Sequence, residues 1–349
     1  MVTAHPDVVG VGALNLDHVV TTDLDVGLEP GVEHAVDAAT ARAAVEAVAP
    51  AGPRTALGGS AFNAVHAIAR TGSGLRLGYV GVAGRAPGFD VVREFERLGV
   101  DHRFVFEEDD LLCGTCVSLV RGGERTLLTH DGANARLADL VGRHFDELAG
   151  YLAGARVVHV TSLLDDRAPG RLPALLTEVR RRSPGTVLSF DPGHAWCAAR
   201  PPGVDGIARL SDCLLLNERE FRALGDHRPG EPERDTAARL LARFADPRAA
   251  VVVKRPTGTA VFRRDGDEFH PGELLAERDI ADPTGAGDAF AAGLLAVLAR
   301  DRSAVGLGAS LGMALARHKM RHAGYEGFPG LFQEIYSSSS SSRCTAGGT

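Results

Sequence analysis

The sequence predicts an α/β fold: a doubly wound parallel sheet flanked by helices, carrying a small β-sheet lid. Three observations predict it. Six short apolar runs alternate with helical patterns along most of the chain. A block near residues 103–131 breaks that rhythm with consecutive strand-like runs. A glycine-rich turn near residue 285 feeds a long, small-residue helix.

The six runs are 8–13, 77–83, 157–161, 186–190, 213–217 and 250–254. They are rich in Val and Leu and show no polar alternation, as expected of strands buried on both faces. Between them lie amphipathic or Ala/Leu-rich segments at 60–71, 88–98, 168–183 and 233–244, which supply the crossover helices of such a sheet. Residues 103–108, 113–120 and 124–132 read instead as three successive strands, with Arg121-Gly122-Gly123-Glu124 as a hairpin turn. The run 16–25 joins them, so parts of 14–57 and 101–132 are expected to form the lid on a single domain spanning 1–336. The serine-rich stretch 337–349 reads as a disordered tail.

The 349 residues carry a formal net charge of -7, which excludes the basic footprint of a nucleic-acid binder. No run approaches the roughly 18 consecutive apolar residues that span a bilayer. The first residues lack a basic, then apolar, leader pattern, so a cytoplasmic protein is expected. Cys113 and Cys116 spell C-x-x-C, but in a strand-like run and without a second pair to complete four zinc ligands, so they read as two strand cysteines.

The chemistry concentrates in residues 281–300, ADPTGAGDAFAAGLLAVLAR. Gly285, Ala286 and Gly287 have almost no side chain and lead straight into a helix. A helix N-terminus presents unpaired N–H groups and a partial positive charge, and small residues let a phosphate reach them. Asp288 falls in the first turn beside that anion hole. A carboxylate there can take the proton of a hydroxyl that attacks phosphorus. A bare G-x-G-D would equally suit a glycine turn with a capping acid; the nine-residue string DPTGAGDAF is far more specific.

That string closely resembles the signature of the ribokinase-like (PfkB) carbohydrate kinases, a family that includes adenosine kinases, and the resemblance covers roughly residues 7–330. It implies an ATP-dependent phosphotransferase with Asp288 as base and the amides of Gly285, Ala286 and Gly287 around the transferring phosphoryl group. LGGSAFNAVHAIARTG at 57–72 resembles the family's glycine-pair signature, which implies acceptor binding by Gly58, Gly59 and Asn63. GALNLDHVV at 12–20 resembles the first strand and its polar pair, adding Asn15 and Asp17. LLLNEREF at 214–221 resembles the N-x-x-E motif: Asn217 is implied at ATP, and Glu220 at Mg²⁺ through water, though an Asn N-cap in a capping box reads the same residues. VVVKRPTGTAVF at 251–262 resembles the strand and turn over ATP, implying Lys254 and Gly258, with Gly287 also on the nucleotide. It departs from the usual glycine pair, having Pro256 and Thr259 at those places. The adenine pocket is implied around 309–313. Asp282 matches a position that binds a monovalent cation such as K⁺ in some members.

The implied cofactors are therefore ATP and Mg²⁺, with K⁺ at Asp282. The acceptor is a sugar or a nucleoside; the long 17–58 segment and the strand at 114–134 resemble the adenosine-kinase branch. No aromatic clamp for a purine is evident, which places a sugar slightly ahead. A homodimer is admitted. An oxidoreductase of similar rhythm would need a third glycine in GVGALNLD, and a non-catalytic sugar sensor would not need Asp288.

Overall fold

The computed structural model describes residues 5–22, 27, 29, 33–121, 124–165, 167–322, 324, 325, 328, 330, 332 and 333. The expected tail at 337–349 and the turn residues Gly122 and Gly123 lie outside them. Among the described residues, fourteen strands form two sheets. β1 (Val8–Val11), β5 (Leu77–Arg85), β6 (Val100–Leu112), β9 (Val157–Thr161), β10 (Val187–Asp191), β11 (Cys213–Asn217), β12 (Ala250–Arg255), β13 (Gly258–Phe262) and β14 (Asp267–Pro271) make the large one. Its order is β14-β13-β12-β11-β10-β9-β1-β5-β6. Seven of these strands are parallel, and the hairpin β13–β14 closes one edge in antiparallel register. The six apolar runs are all here, and their side chains are almost wholly buried.

β2 (Asn15–Thr21), β3 (Glu33–Ala35), β4 (Arg54–Gly58), β7 (Gly114–Arg121) and β8 (Glu124–His130) make the smaller sheet. It has its own apolar layer, Val20, Val117, Leu119 and Leu128, packed on α1 (Ala38–Val48). α1 lies within the long 17–58 segment. One expectation needs correction: residues 103–108 do not join the small sheet but lie in β6, at the edge of the large one. Phe104 and Phe106 explain the choice. They project onto the helical layer beneath, Phe104 against Tyr151 at 4.8 Å and Phe106 against His144 at 4.9 Å between ring centroids. The chain leaves the large sheet at Leu112 and starts the small sheet two residues later.

The helices cover both faces: α2 (Ser60–Arg70), α3 (Val91–Leu98), α11 (Ala286–Leu298) and α12 (Val305–Met320) share one core cluster, and α4 (Leu137–Arg143), α5 (Phe145–Ala153), α6 (Ala168–Arg182), α7 (Gly193–Ala199), α8 (Val204–Leu210), α9 (Glu218–Leu224) and α10 (Glu233–Arg243) the other. After β1 the chain builds outward to β5 and β6, then returns to β9 on the opposite side. Such a reversal of strand order opens a crevice at the strands' C-terminal ends, where doubly wound sheets bind ligands. None of the helices among the described residues is long and apolar enough to cross a membrane.

Candidate active site

α11 begins at that crevice. Its N-cap, Gly285, has φ 74°, a left-handed conformation that glycine adopts without strain. A Cβ there would also lie 2.7 Å from the Tyr325 hydroxyl. The following Ala286 and Gly287 start the helix, and Asp288 stands in its first turn. Nδ2 of Asn63, on α2, donates to Oδ2 of Asp288 at 2.9 Å across 225 residues of sequence. The two signature segments thus meet side chain to side chain.

The small sheet supplies the other wall. β2 pairs with β4 so that Asn15 faces Gly58 and Asp17 faces Ala56. Both glycines of the pair are required by close approach. A Cβ on Gly58 would fall 2.0 Å from Oδ2 of Asp17, and one on Gly59, at φ 107°, 2.0 Å from the Ala13 carbonyl oxygen. Asn134, unremarked in the sequence, orders this corner: its Oδ1 accepts from the Leu14 amide, and its Nδ2 donates to Oδ1 of Asn15 at 3.0 Å. A cavity of about 190 Å³ lies between, lined by Asn15, Asp17, Gly59, Asn63, Asn134, His194, Gly285 and Asp288 among others.

A second cavity, about 350 Å³ and mainly apolar, lies on the other side of the α11 N-terminus. Lys254, Arg255, Pro256 and Thr259 from the β12–β13 hairpin line it, with Ala286, Gly287, Phe290, Met313 and Met320. Gly258 does not line it: its φ of 147° shapes the two-residue turn, where a Cβ would meet the His270 carbonyl oxygen at 2.4 Å. Of the expected 309–313 stretch, Met313 faces the cavity while Ala309 is packed inside the protein.

Lys254 Nζ donates to Oδ2 of Asp191 at 2.6 Å, joining the ends of β12 and β10 across β11. Burial works against its charge, but the carboxylates of Asp191 and Glu220 outweigh it and hold the amine above its ordinary value. A Cβ on Gly287 would lie 3.8 Å from that ammonium, so Lys254 looks onto the α11 N-terminus. Asn217 does not line the cavity. It caps α9, its Oδ1 accepting from the Glu220 amide while Oε2 of Glu220 accepts from the Asn217 amide, a complete capping box. Glu220 is only 6% exposed, and burial followed by the nearby Asp191 charge pushes its carboxyl up. Asp191, at the end of β10, and Glu220, in the first turn of α9, are the hard oxygen groups beside Lys254. One Asp191 oxygen is taken by Lys254 and one Glu220 oxygen by the Asn217 amide, so Mg²⁺ would be held here through its own waters, as an ion that needs few protein contacts allows.

Asp282 behaves differently. Its Oδ2 accepts from Nζ of Lys319 at 3.1 Å and from the Arg54 guanidinium at 3.3 Å, and its Oδ1 accepts from the Thr284 amide at 2.9 Å. The place expected for a monovalent cation is taken by a lysine ammonium. A free cation does not fit there, since two like charges about 4 Å apart repel by about 4 kcal/mol at an effective dielectric of 20.

Residues 33–322 match the pfkB family of carbohydrate kinases. The chain belongs to that family and is an ATP-dependent phosphotransferase acting on an alcohol group. It is 30% identical over 246 residues to an ATP-dependent ribose-1-phosphate kinase from Halopiger xanaduensis, across 70% of this chain and 74% of that protein. It is 25% identical over 261 residues to adenosine kinase from Saccharomyces cerevisiae, across 71% and 74%. Among solved structures, adenosine kinase from Anopheles gambiae superposes with a TM-score of 0.80 at 20% identity, covering 93% of this chain and 98% of that one. Ribokinase from Giardia lamblia gives 0.76 at 16% identity, covering 97% and 99%. The structural likenesses show the ribokinase-like fold, with its large sheet and second smaller one.

Proposed function

We propose that this kinase phosphorylates a hydroxyl of a furanose or related sugar, with Asp288 as base and the Gly285–Gly287 amides as anion hole. One observation carries the reading: the α11 N-terminus is the partition between the two cavities. Gly285 and Asp288 face the smaller, Ala286 and Gly287 the larger. A phosphoryl group handed from one side to the other must cross these four residues.

In this reading the larger cavity takes ATP, with adenine against Phe290, Met313 and Met320 and the phosphates toward Lys254 and the helix N-terminus. Mg²⁺ supplies charge neutralisation on the phosphates when bound. The acceptor lies against Asp17, Asn15 and the Gly58–Gly59 backbone. Asp288 removes its hydroxyl proton, the acceptor oxygen forms a bond to the γ-phosphorus, and the bond from that phosphorus to the β-phosphate oxygen breaks, leaving ADP. Asn63 donates to the Asp288 oxygen, so it holds the base in place before the acceptor arrives.

A sugar is favoured over a nucleoside by the lining of the smaller cavity. Asp17, Glu33, Asp131 and Asp288 bring carboxylates, and no Phe, Tyr or Trp is among its described lining residues. Carboxylates accept hydrogen bonds from hydroxyls, whereas a purine stacks best on an aromatic face. A panel of pentoses, hexoses and nucleosides with ATP and Mg²⁺ decides between them; a product from nucleosides alone would overturn the sugar reading. The central test is Asp288→Asn. It keeps size and can still cap the helix, so the variant is expected to fold and bind ATP while kcat drops by about 10²–10⁴. Turnover within a few-fold of the parent would remove Asp288 from the role of base.

A further inference from the structure

Lys319 is a charged side chain placed where a charge needs a reason. It is 2% exposed, near the end of α12. Among the described residues, its ammonium donates to Oδ2 of Asp282 at 3.1 Å, the Asp282 carbonyl at 3.3 Å and the His322 carbonyl at 3.2 Å. The Tyr325 ring lies beyond, its centroid 5.9 Å away. Backbone bonds reinforce the join, the amides of Ala281 and Asp282 both donating to the Met320 carbonyl.

What this ammonium holds is the approach to the anion hole. Asp282 is the last side chain before the Pro283–Thr284–Gly285 turn, and its second oxygen takes the Thr284 amide. The Ala286 amide then closes the turn on the Pro283 carbonyl. Arg54, on β4, reaches the same carboxylate from the acceptor side. A rotation of Asp282 would therefore carry the Gly285–Gly287 amides with it.

We propose that Lys319 is a built-in counter-cation: its tethered ammonium fixes the 282–285 turn and makes phosphoryl transfer indifferent to free monovalent cations. Lys319 acts through Asp282 and is a positioning residue. The inference rests on the reading of Gly285–Gly287 as the anion hole, but its fold-level consequence does not. Removing the ammonium leaves an oxygen-lined hollow at the Asp282 carboxylate, countered only by the half-exposed Arg54 on one side, and a hollow of that size takes K⁺ or NH₄⁺ while excluding choline.

The test compares the parent protein, Lys319→Met and Lys319→Arg in KCl, NH₄Cl and choline chloride at equal ionic strength. Steady-state rates and thermal midpoints are both read. The parent is expected to turn over at rates within about twofold in all three salts. Lys319→Met in choline is expected to lose kcat by about tenfold or more with the KM for ATP within about threefold of the parent. KCl or NH₄Cl should restore part of that kcat and raise the Met variant's midpoint, with no such effect on the parent's midpoint. Lys319→Arg, which keeps the charge, should lose less than Lys319→Met. A parent enzyme that needs KCl for activity would overturn the proposal, as would a Met variant with parental kcat in choline. So would a loss of kcat that neither small cation restores. Should Lys319→Met fail to fold, the parent's salt series and the Arg variant still decide. Should the parent show no ATP turnover with any acceptor, the kinase reading fails, and the midpoint series remains a separate test of the tethered cation.

Discussion

Asp17 and Asn63 divide the labour of the smaller cavity at the level of single atoms. Asn63 is tied to Asp288, whereas the Asp17 carboxylate lies against a glycine that leaves it room. Asp17→Asn trades two anionic acceptor oxygens for an amide at nearly the same volume. A hydrogen bond to a charged group contributes about 1.5–3 kcal/mol, so the KM for the acceptor should rise about tenfold or more, with the KM for ATP within about threefold. Steady-state kinetics with each substrate varied in turn checks this; equal losses on both sides would mean that Asp17 shapes the whole crevice. Asn15, Asp17, Gly58, Gly59, Asn63 and Asp288 were legible because each sits in a short motif of fixed spacing. Asn134 and Lys319 were not. Their partners lie 120 and 37 residues away, and nothing in their own neighbourhood marks them.

At the level of elements, α12 sets the position of α11, and so of its N-terminus, from behind. The two helices touch through glycines: a Cβ on Gly293 would lie 2.6 Å from the Gly312 amide nitrogen, and one on Gly312 2.6 Å from the Phe290 carbonyl oxygen. Neither contact can yield, because both are backbone. Gly312→Val should therefore push the helices apart and destabilise the protein by about 1–3 kcal/mol, the usual cost of overpacking. Denaturant melts read that loss directly. Since α12 also carries Met313, Met320 and Lys319, ATP affinity should fall at temperatures where the variant is still folded. An unchanged melt would mean that the interface is looser than its geometry. The helical rhythm and the six buried strands could be read ahead of the structure because hydrophobic periodicity is local. The membership of β6 could not. Its apolar face suits either sheet, and only the rings of Tyr151 and His144 waiting under the large sheet decided which.

At the scale of the whole molecule, the interior strand β1 is fastened at its start by Asp7. Its carboxylate accepts from the Arg76 amide and from two guanidinium nitrogens of the same residue, at 3.0–3.1 Å, with Arg156 at 3.4 Å. The Arg76 hydrogen bonds hold the Asp7 carboxyl below its ordinary value despite the opposing effect of burial. A carboxyl whose folded pKa is depressed stabilises the protein above its unfolded pKa, about 3.9, and loses that contribution as pH falls through the folded value. Asp7→Asn should therefore melt earlier than the parent at pH 7, by on the order of 1–2 kcal/mol given an exposed arginine partner. The gap should narrow as pH drops below about 4. A gap that is constant from pH 7 to pH 3 would assign the effect to packing instead of charge.

The sequence by itself determined the family, the strand–helix rhythm and the motifs from which the proposed site is drawn, because signatures and periodicity are properties of adjacent residues. The tertiary structure decided three other things. It put Asn63 on Asp288, it set the α11 N-terminus as a wall between two cavities, and it gave Asp282 a lysine where a free cation was expected. Each of these joins segments remote in sequence, and such contacts follow from how sheets and helices close on one another in space.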